Sequence, residues 1–173
     1  MSKTLIIGGA SGIGFAVASA LAEHENELIL AGRNNEKLEA ARQLLNLRPA
    51  DVRTLKLDVS NEAEVVALSS SLGDVDNIVF TAGSHAPGGF LSEMDLSAAR
   101  LAFDTKFWGS IYTARHLSRN IRPRGTLTLT SGFLARRTLS GTIVKSTMNA
   151  AIESAAKVLA KELSPLQIGR AHV

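Results

Sequence analysis

Hydrophobic and polar residues along this chain form blocks that predict strands and helices in alternation. Apolar residues recur in five short runs, three of which are apolar at nearly every position, as in strands buried on both faces of a parallel sheet. These runs cover residues 5–7, 28–31, 52–57, 77–80 and 126–130. The pattern predicts a sheet of at least five parallel strands.

Between these runs, apolar residues return at helical spacing. After Asn34 or Asn35, either of which can cap a helix, Leu38, Ala41 and Leu45 would share one helix face. Further helices are predicted over 13–23, after residue 61, over 96–118 and over 144–163. Strands alternating with amphipathic helices predict an α/β fold, a Rossmann-like doubly wound parallel sheet with helices on both faces.

Small, polar or charged residues follow each predicted strand. In a doubly wound sheet the ligand lies outside the carboxyl ends of the strands, where the strand order reverses. The residues at those ends are 8–14, Arg33, Asp58, 81–83 and 130–132. This edge of the sheet is therefore the predicted ligand site.

The first of these turns is rich in glycine. Residues 5–14 read LIIGGASGIG, with glycines at positions 8, 9, 12 and 14. Glycine accepts a positive φ and lets the backbone lie against a ligand, and the amides of the following helix start can bind an anion. Many turns between a strand and a helix contain two glycines without binding anything, so this motif alone is weak evidence.

Composition excludes several classes of function. The 173 residues include no cysteine, which rules out disulfides, thiolate metal sites and cysteine nucleophiles. No apolar stretch approaches the roughly 20 residues of a membrane span, and the histidines show no metal-ligand spacing. We expect a cytoplasmic protein with no metal and no membrane partner. The net charge of +3 and the lack of aromatic residues among the arginines of 115–124 argue against a nucleic-acid partner.

Several of these motifs together resemble the short-chain dehydrogenase/reductase family over about residues 3–167. Gly8, Gly12 and Gly14 match its GxxxGxG fingerprint, 57–59 and 82–83 match motifs after the third and fourth strands, and 159–163 resembles the end of its active-site helix. The resemblance implies a dinucleotide cofactor. Its predicted binding residues are Gly8, Ser11, Gly12, Ile13, Gly14, Arg33, Asn34, Asp58, Val59, Ala82 and Gly83.

Arg33 indicates which cofactor is bound. It lies 21 residues after Gly12, where an NAD site would offer a carboxylate to the ribose hydroxyls. An arginine there can pair with a 2′-phosphate, so NADP is predicted and NAD is the less favoured cofactor. The alternative is a solvated arginine before a helix.

The catalytic positions depart from the family pattern. The resemblance implies a serine after strand five, then a tyrosine and a lysine four residues apart, and an asparagine in the preceding long helix. Ser131 fits the serine, but the tyrosine position falls on Lys145, the lysine position on Asn149 and the asparagine position on Lys106. The one tyrosine in the chain is Tyr112. Ser131, Lys145 and Lys106 are therefore the predicted catalytic residues.

The role of Lys145 is open among three interpretations. It can donate a proton with a pKa lowered by burial or by Lys106, bind an anionic cofactor or substrate without proton transfer, or be a solvated residue at a helix start. Ser131 can likewise be an ordinary turn residue. Two functions follow: an NADP(H)-dependent oxidoreductase transferring hydride to or from a small carbonyl or alcohol substrate, or a catalytically silent NADP-binding sensor or scaffold.

Two further expectations concern assembly and the end of the chain. The stripe of Phe107, Trp108, Ile111 and Tyr112 is either core or the interface of a homo-oligomer. Residues 168–173 resemble a translated sequencing adapter, so we interpret 1–167 as an incomplete dinucleotide-binding domain and 168–173 as a non-native tail. Without strands six and seven, strand five would be an exposed apolar edge. We expect this stretch alone to fold poorly and be inactive, and its full-length parent to be an oxidoreductase.

Overall fold

The sheet has six parallel strands in the order β3-β2-β1-β4-β5-β6 in the computed structural model, which describes residues 2–24 and 26–172. The strands are β1 (Lys3–Ile7), β2 (Glu27–Gly32), β3 (Asp51–Lys56), β4 (Val75–Phe80), β5 (Ile121–Ser131) and β6 (Gln167–His172). The helices are α1 (Gly12–Leu21), α2 (Asn35–Leu45), α3 (Glu62–Ser71), α4 (Leu96–Phe103), α5 (Gly109–Leu117) and α6 (Ile143–Glu162). The predicted doubly wound fold is confirmed.

Both faces of the sheet carry a hydrophobic core because successive strand residues point to opposite sides. Leu5 and Ile7 belong to one core, which α3, α5 and α6 cover. Ile6 lies between them in sequence and belongs to the other core, beneath α1 and α2. All three side chains are at most 1% exposed, which explains why the strands read as continuous apolar runs.

Side-chain caps fix where α2 and α3 begin, and so how long the turns are that follow β2 and β3 at the predicted ligand site. The Asn34 side chain accepts a hydrogen bond from the Lys37 amide at 2.9 Å, which identifies Asn34 and not Asn35 as the cap of α2. Asn61 caps α3 in the same way, at 3.1 Å from the Ala63 amide. Such caps typically contribute about 1 kcal/mol to helix stability.

The expectation that strand six is missing is wrong. Residues Gln167–His172 form β6 and pair in parallel with β5, from Thr126 opposite Gln167 to Ser131 opposite His172. The edge of β5 offers a row of backbone N–H and C=O groups, with which an extended segment can pair even when it has few apolar side chains. The interpretation of 168–173 as a non-native tail stays a prediction. The physical reason for expecting a poorly folded chain, an uncovered β5, does not hold in this structure.

The long helix predicted over 96–118 is confirmed in extent but contains a π turn. Between α4 and α5, the segment Asp104–Trp108 makes wider π-type turns. A π turn inside an α-helix often marks a functional site. Lys106 lies at its centre.

The aromatic stripe next to this turn is only partly covered. Phe107 contacts Trp108 edge to face at 5.2 Å between ring centroids, and Trp108 stacks on Tyr112 at 6.2 Å. Trp108 is 45% exposed. Its assignment to a homo-oligomer interface stays a prediction.

Asp76 joins the first and fifth strands, and its removal is predicted to destabilise the fold. Its carboxylate accepts a hydrogen bond from the Lys3 amide at 2.7 Å and also contacts Arg122 at 3.2 Å. The Lys3 amide first, and then Arg122, lower the pKa of Asp76 below its usual value. Asp76→Asn should therefore cost about 1–2 kcal/mol in the free energy of unfolding at pH 7, as expected for hydrogen bonds to a charged group.

The effect should depend on pH in a defined direction. A carboxyl whose pKa is lowered by folding contributes stability above its unfolded pKa of about 3.9, and the contribution disappears as the pH falls through the lower folded value. Chemical denaturation at pH 7 and at acid pH tests this, with Asp74→Asn, on an exposed residue two positions away, as the control. An equal loss of stability at both pH values would contradict the assignment.

Candidate functional site

A cavity of about 420 Å³ opens at the carboxyl ends of the central strands, as the sequence predicts. It is lined by Ile7, Gly8, Ala10, Ser11, Gly12, Ile13, Gly32, Arg33, Asn34, Lys37, Leu57, Val59, Thr81, Ala82, Gly83 and Thr105. Nine of the eleven predicted cofactor residues are among them.

The glycine turn leaves no room for side chains where it meets β4. A Cβ on Gly8, whose φ is +89°, would lie 2.7 Å from the Thr81 hydroxyl oxygen. That hydroxyl and the Thr81 amide both donate hydrogen bonds to the Ile7 carbonyl, so Thr81 is fixed in place. Around Gly12, by contrast, nothing lies within 4 Å of a Cβ position. The turn therefore presents bare backbone to an open cavity at the start of α1, an arrangement that fits the phosphates of a dinucleotide.

A cationic wall stands at the β2 side of the cavity. Arg33 follows β2 and Lys37 lies in the first turn of α2, and both side chains are exposed. Sequence reasoning identified Arg33 but missed Lys37. The cap at Asn34 was the available signal, because it sets the start of α2 and so places residue 37 on this wall.

Two predicted cofactor residues, Gly14 and Asp58, do not line this cavity. Gly14 is buried, and a Cβ there would come within 2.2 Å of the Gly8 carbonyl oxygen. Asp58 accepts hydrogen bonds from the Ser60 amide at 3.0 Å and the Ser60 hydroxyl at 2.6 Å. Its carboxylate thus holds the turn that carries Val59, and its contact with an adenine ring stays a prediction.

A second cavity of about 420 Å³ continues from the first toward β5. The two share Ile13, Thr81, Ala82 and Gly83. The second is also lined by Ser84, His85, Ala86, Lys106, Thr130, Ser131, Gly132, Phe133, Leu134, Lys145, Met148 and Asn149. The three predicted catalytic residues therefore meet in one cavity, although they come from three different elements.

Asn149 connects two of the catalytic candidates. Its side-chain oxygen accepts a hydrogen bond from the Lys106 ammonium at 2.8 Å, and its backbone carbonyl accepts one from the Ser131 hydroxyl at 3.2 Å. Asn149 is 6% exposed and Ser131 2%. Burial lowers the pKa of Lys106 below its usual value, because desolvation disfavours the charged amine.

The other titratable candidates differ in their surroundings. Lys145 and His85 line the second cavity, Lys145 half-buried and His85 exposed. His116 lies elsewhere, 2.7 Å from the Glu62 carboxylate. Across residues 2–24 and 26–172, no group of three His, Cys, Asp or Glu side chains could hold a metal ion. Nor is any helix in that part of the chain long and apolar enough to cross a membrane.

The chain is similar in sequence to a known protein family and to several of its curated members. A family model described as enoyl-(acyl carrier protein) reductase matches residues 8–171. The short-chain dehydrogenase/reductase ucsE of an Acremonium species is 28% identical over 95% of this chain and 68% of its own length. Across several such curated relatives, the chain spans between 44% and 68% of the relative's length.

Solved structures agree with the fold. A small-chain dehydrogenase in complex with NADPH is 34% identical, with a TM-score of 0.78 over 98% of this chain and 68% of that one. A short-chain type dehydrogenase/reductase from Mycobacterium ulcerans has a TM-score of 0.92 over 98% of this chain and 66% of its own. At 24% identity, the second supports the fold alone.

Proposed function

Because the chain belongs to the short-chain dehydrogenase/reductase family, we propose that it binds NADP(H) and serves hydride transfer to or from a carbonyl or alcohol group of a small molecule. One observation carries the proposal: a bare glycine cradle with a cationic wall opens directly into a cavity that holds Ser131 and two lysines.

The choice of NADP rests on charge. Arg33 and Lys37 can pair with a 2′-phosphate, and no carboxylate lines the first cavity among the described residues. The relative that is 34% identical was solved with NADPH, which supports the same cofactor here. In this proposal Gly8 and Gly12 approach the pyrophosphate, while Asn34 sets the start of the helix that carries Lys37.

The remaining residues act on the substrate. A bound reduced nicotinamide supplies the hydride. Ser131 lies at the end of β5, and its hydroxyl can donate a hydrogen bond to the substrate oxygen instead of to the Asn149 carbonyl. Lys145 completes the cationic lining of the second cavity and attracts a polar substrate.

A second function is favoured by one observation. Lys145 stands where the family has its tyrosine, while Tyr112 stacks on Trp108 outside the second cavity. A protein that binds NADP(H) as a sensor or scaffold without turnover would tolerate the loss of the family's tyrosine. Incubation with NADPH and a panel of carbonyl compounds, followed by nicotinamide absorbance, separates the two functions. Oxidation of NADPH supports the enzyme, whereas tight binding without oxidation supports the sensor.

Reversing the charge of Arg33 is the test of cofactor choice. Arg33→Asp should weaken NADPH binding about 10- to 100-fold, because it removes a charge-assisted hydrogen bond worth about 1.5–3 kcal/mol. NADH affinity should stay the same or improve. Fluorescence titration of both cofactors measures the change, and Lys161→Asp makes the same charge reversal at an exposed position at the far end of α6. If NADPH affinity fell equally in both variants, Arg33 would not bind the 2′-phosphate.

A further inference from the structure

We propose that the ammonium of Lys106 protonates the substrate oxygen during reduction, and that Asn149 is the residue that positions it. The inference rests on the proposed function, because it assigns a proton donor to that same reaction. It favours Lys106 over Lys145, for which proton donation is one of the three interpretations that the sequence leaves open.

The geometry of Lys106 supports this role. The π turn of Asp104–Trp108 directs the lysine to the second cavity, whose wall it forms together with Ser131. Its amine is held at 2.8 Å from the Asn149 side-chain oxygen, and an ammonium has three N–H donors. Within residues 2–24 and 26–172, this is the one hydrogen bond that the Lys106 amine makes. Its other N–H groups are available to a ligand.

Asn149 sets both donors at once. Its side-chain oxygen holds Lys106, while its backbone carbonyl accepts the hydroxyl of Ser131. Because Asn149 is 6% exposed and belongs to the 20-residue helix α6, it is a rigid reference for both groups. A substrate oxygen between Lys106 and Ser131 would meet a charged donor that Asn149 holds in place, and the Ser131 hydroxyl would turn from the Asn149 carbonyl to donate to that oxygen instead.

Lys145 is the weaker candidate for proton transfer. Its amine makes no hydrogen bond to the described part of the protein, so nothing there fixes its position. It lies on α6 one turn before Asn149 and lines the same cavity.

Two other titratable groups near Lys106 come from two elements. His85 faces the cavity from the segment between β4 and α4, and Asp104 lies on the π turn itself. Burial is the cause of the lowered pKa of Lys106. A lysine with a lowered pKa is a better proton donor near neutral pH than an ordinary one.

Proton transfer from Lys106 accompanies hydride transfer to the substrate carbon. As the carbonyl carbon receives a hydride and gains a C–H bond, the electron pair of the C=O π bond moves to the oxygen. That oxygen takes a proton from Lys106, breaking one N–H bond and forming one O–H bond. The product is an alcohol and the lysine is left as a neutral amine, which regains its proton from water through the open cavity.

The first test uses the cofactor-free protein. With ¹³C-lysine labelling, an NMR titration of the lysine side chains should show one residue with a pKa below that of the others, and the signal should vanish in Lys106→Arg. Removing the acceptor in Asn149→Ala should lower this pKa further, because a hydrogen bond that favours the charged amine is lost. If Lys106 titrated with the bulk lysines, or if Asn149→Ala left its pKa unchanged, the proposal would be overturned.

The second test measures reduction of a carbonyl substrate as a function of pH. In the wild type, kcat should fall as the pH rises through the pKa of Lys106, and in Asn149→Ala this midpoint should move to lower pH. Lys106→Gln should lower kcat by about 10²- to 10⁴-fold, as expected on losing a general acid. Lys106→Arg keeps the positive charge but cannot release a proton, so it should fail equally. Recovery of activity in Lys106→Arg would mean that the charge alone is needed.

A matched variant at Lys145 separates the role of Lys106 from that of the second lysine in the cavity. Lys145→Gln should change KM but keep the pH midpoint of kcat. NADPH binding, measured alongside, distinguishes failure of the proposed function from failure of the role proposed for Lys106. If the wild type fails to bind NADPH, the proposed function is wrong. If it binds NADPH but Lys106→Gln reduces substrate normally, or if the wild type reduces none of the carbonyl panel, the role of Lys106 as proton donor is wrong while NADP binding stands.

Discussion

Alanine at position 14 should cost about 3 kcal/mol in the free energy of unfolding and abolish NADPH binding, as expected for severe overpacking of a buried turn. The added Cβ would lie 2.2 Å from the Gly8 carbonyl oxygen and 2.5 Å from the Thr81 hydroxyl. The first is a backbone atom and the second is held by its hydrogen bond to the Ile7 carbonyl, so neither can move aside. Alanine also favours a helix over glycine by about 1 kcal/mol, but this gain is too small to offset the clash.

The matched control for this change is Gly83→Ala. Gly83 lies in the wall of the same cavity, and a Cβ there meets nothing within 4 Å. Chemical denaturation of both variants gives the difference in unfolding free energy, and fluorescence titration gives the NADPH affinity. If Gly14→Ala were as stable as Gly83→Ala, the close packing of the glycine turn on Thr81 would not matter to the fold.

Ending the chain at Leu166 should have a comparably large effect. The shortened chain loses β6 and leaves β5 with an unpaired edge from Thr126 to Ser131. Each backbone hydrogen bond contributes about 1 kcal/mol net, so losing the ladder should cost several kcal/mol in stability. The exposed edge should also promote aggregation. We expect an unfolding transition at lower temperature, accompanied by aggregation.

Gln167→Ala serves as the control for the shortened chain. Gln167 is exposed and the substitution leaves the backbone ladder in place, so its unfolding temperature should match that of the unchanged protein. Thermal unfolding followed by circular dichroism, with light scattering on the same samples, provides both measurements. A shortened chain that unfolds reversibly at the same temperature would mean that β6 contributes nothing to the sheet.

Sequence reasoning identified the sheet because its central strands carry their own signal. Ile6 and Ile7 are both buried although they point to opposite faces, and such runs are readable without a structure. The strand β6 carries no such signal: between Gln167 and His172 only Ile168 is a large apolar residue. Its conformation depends on the unpaired edge of β5, a property of the partner strand and not of the segment itself.

The candidate site also contains residues that the sequence predicts and contacts that it does not. Gly12 and Arg33 could be identified because their separation along the chain is set by one helix and one strand, α1 and β2. The hydrogen bond between Lys106 and Asn149 could not be predicted, because it joins residues that are 43 positions apart and lie on two different helical segments. Its geometry further depends on a π turn, whose wider spacing shifts the helix face in a way that a regular helical period does not predict.

The wall formed by Ile13, Thr81, Ala82 and Gly83 belongs to both cavities. A long ligand lying across it would be held at two ends, so that binding of one end raises the effective concentration of the other. Half-molecules of such a ligand, an adenosine phosphate for one cavity and a nicotinamide nucleotide for the other, would then report separately on the two halves. The difference between the binding free energy of the intact ligand and the sum for the two halves would measure how well the shared wall aligns the two halves.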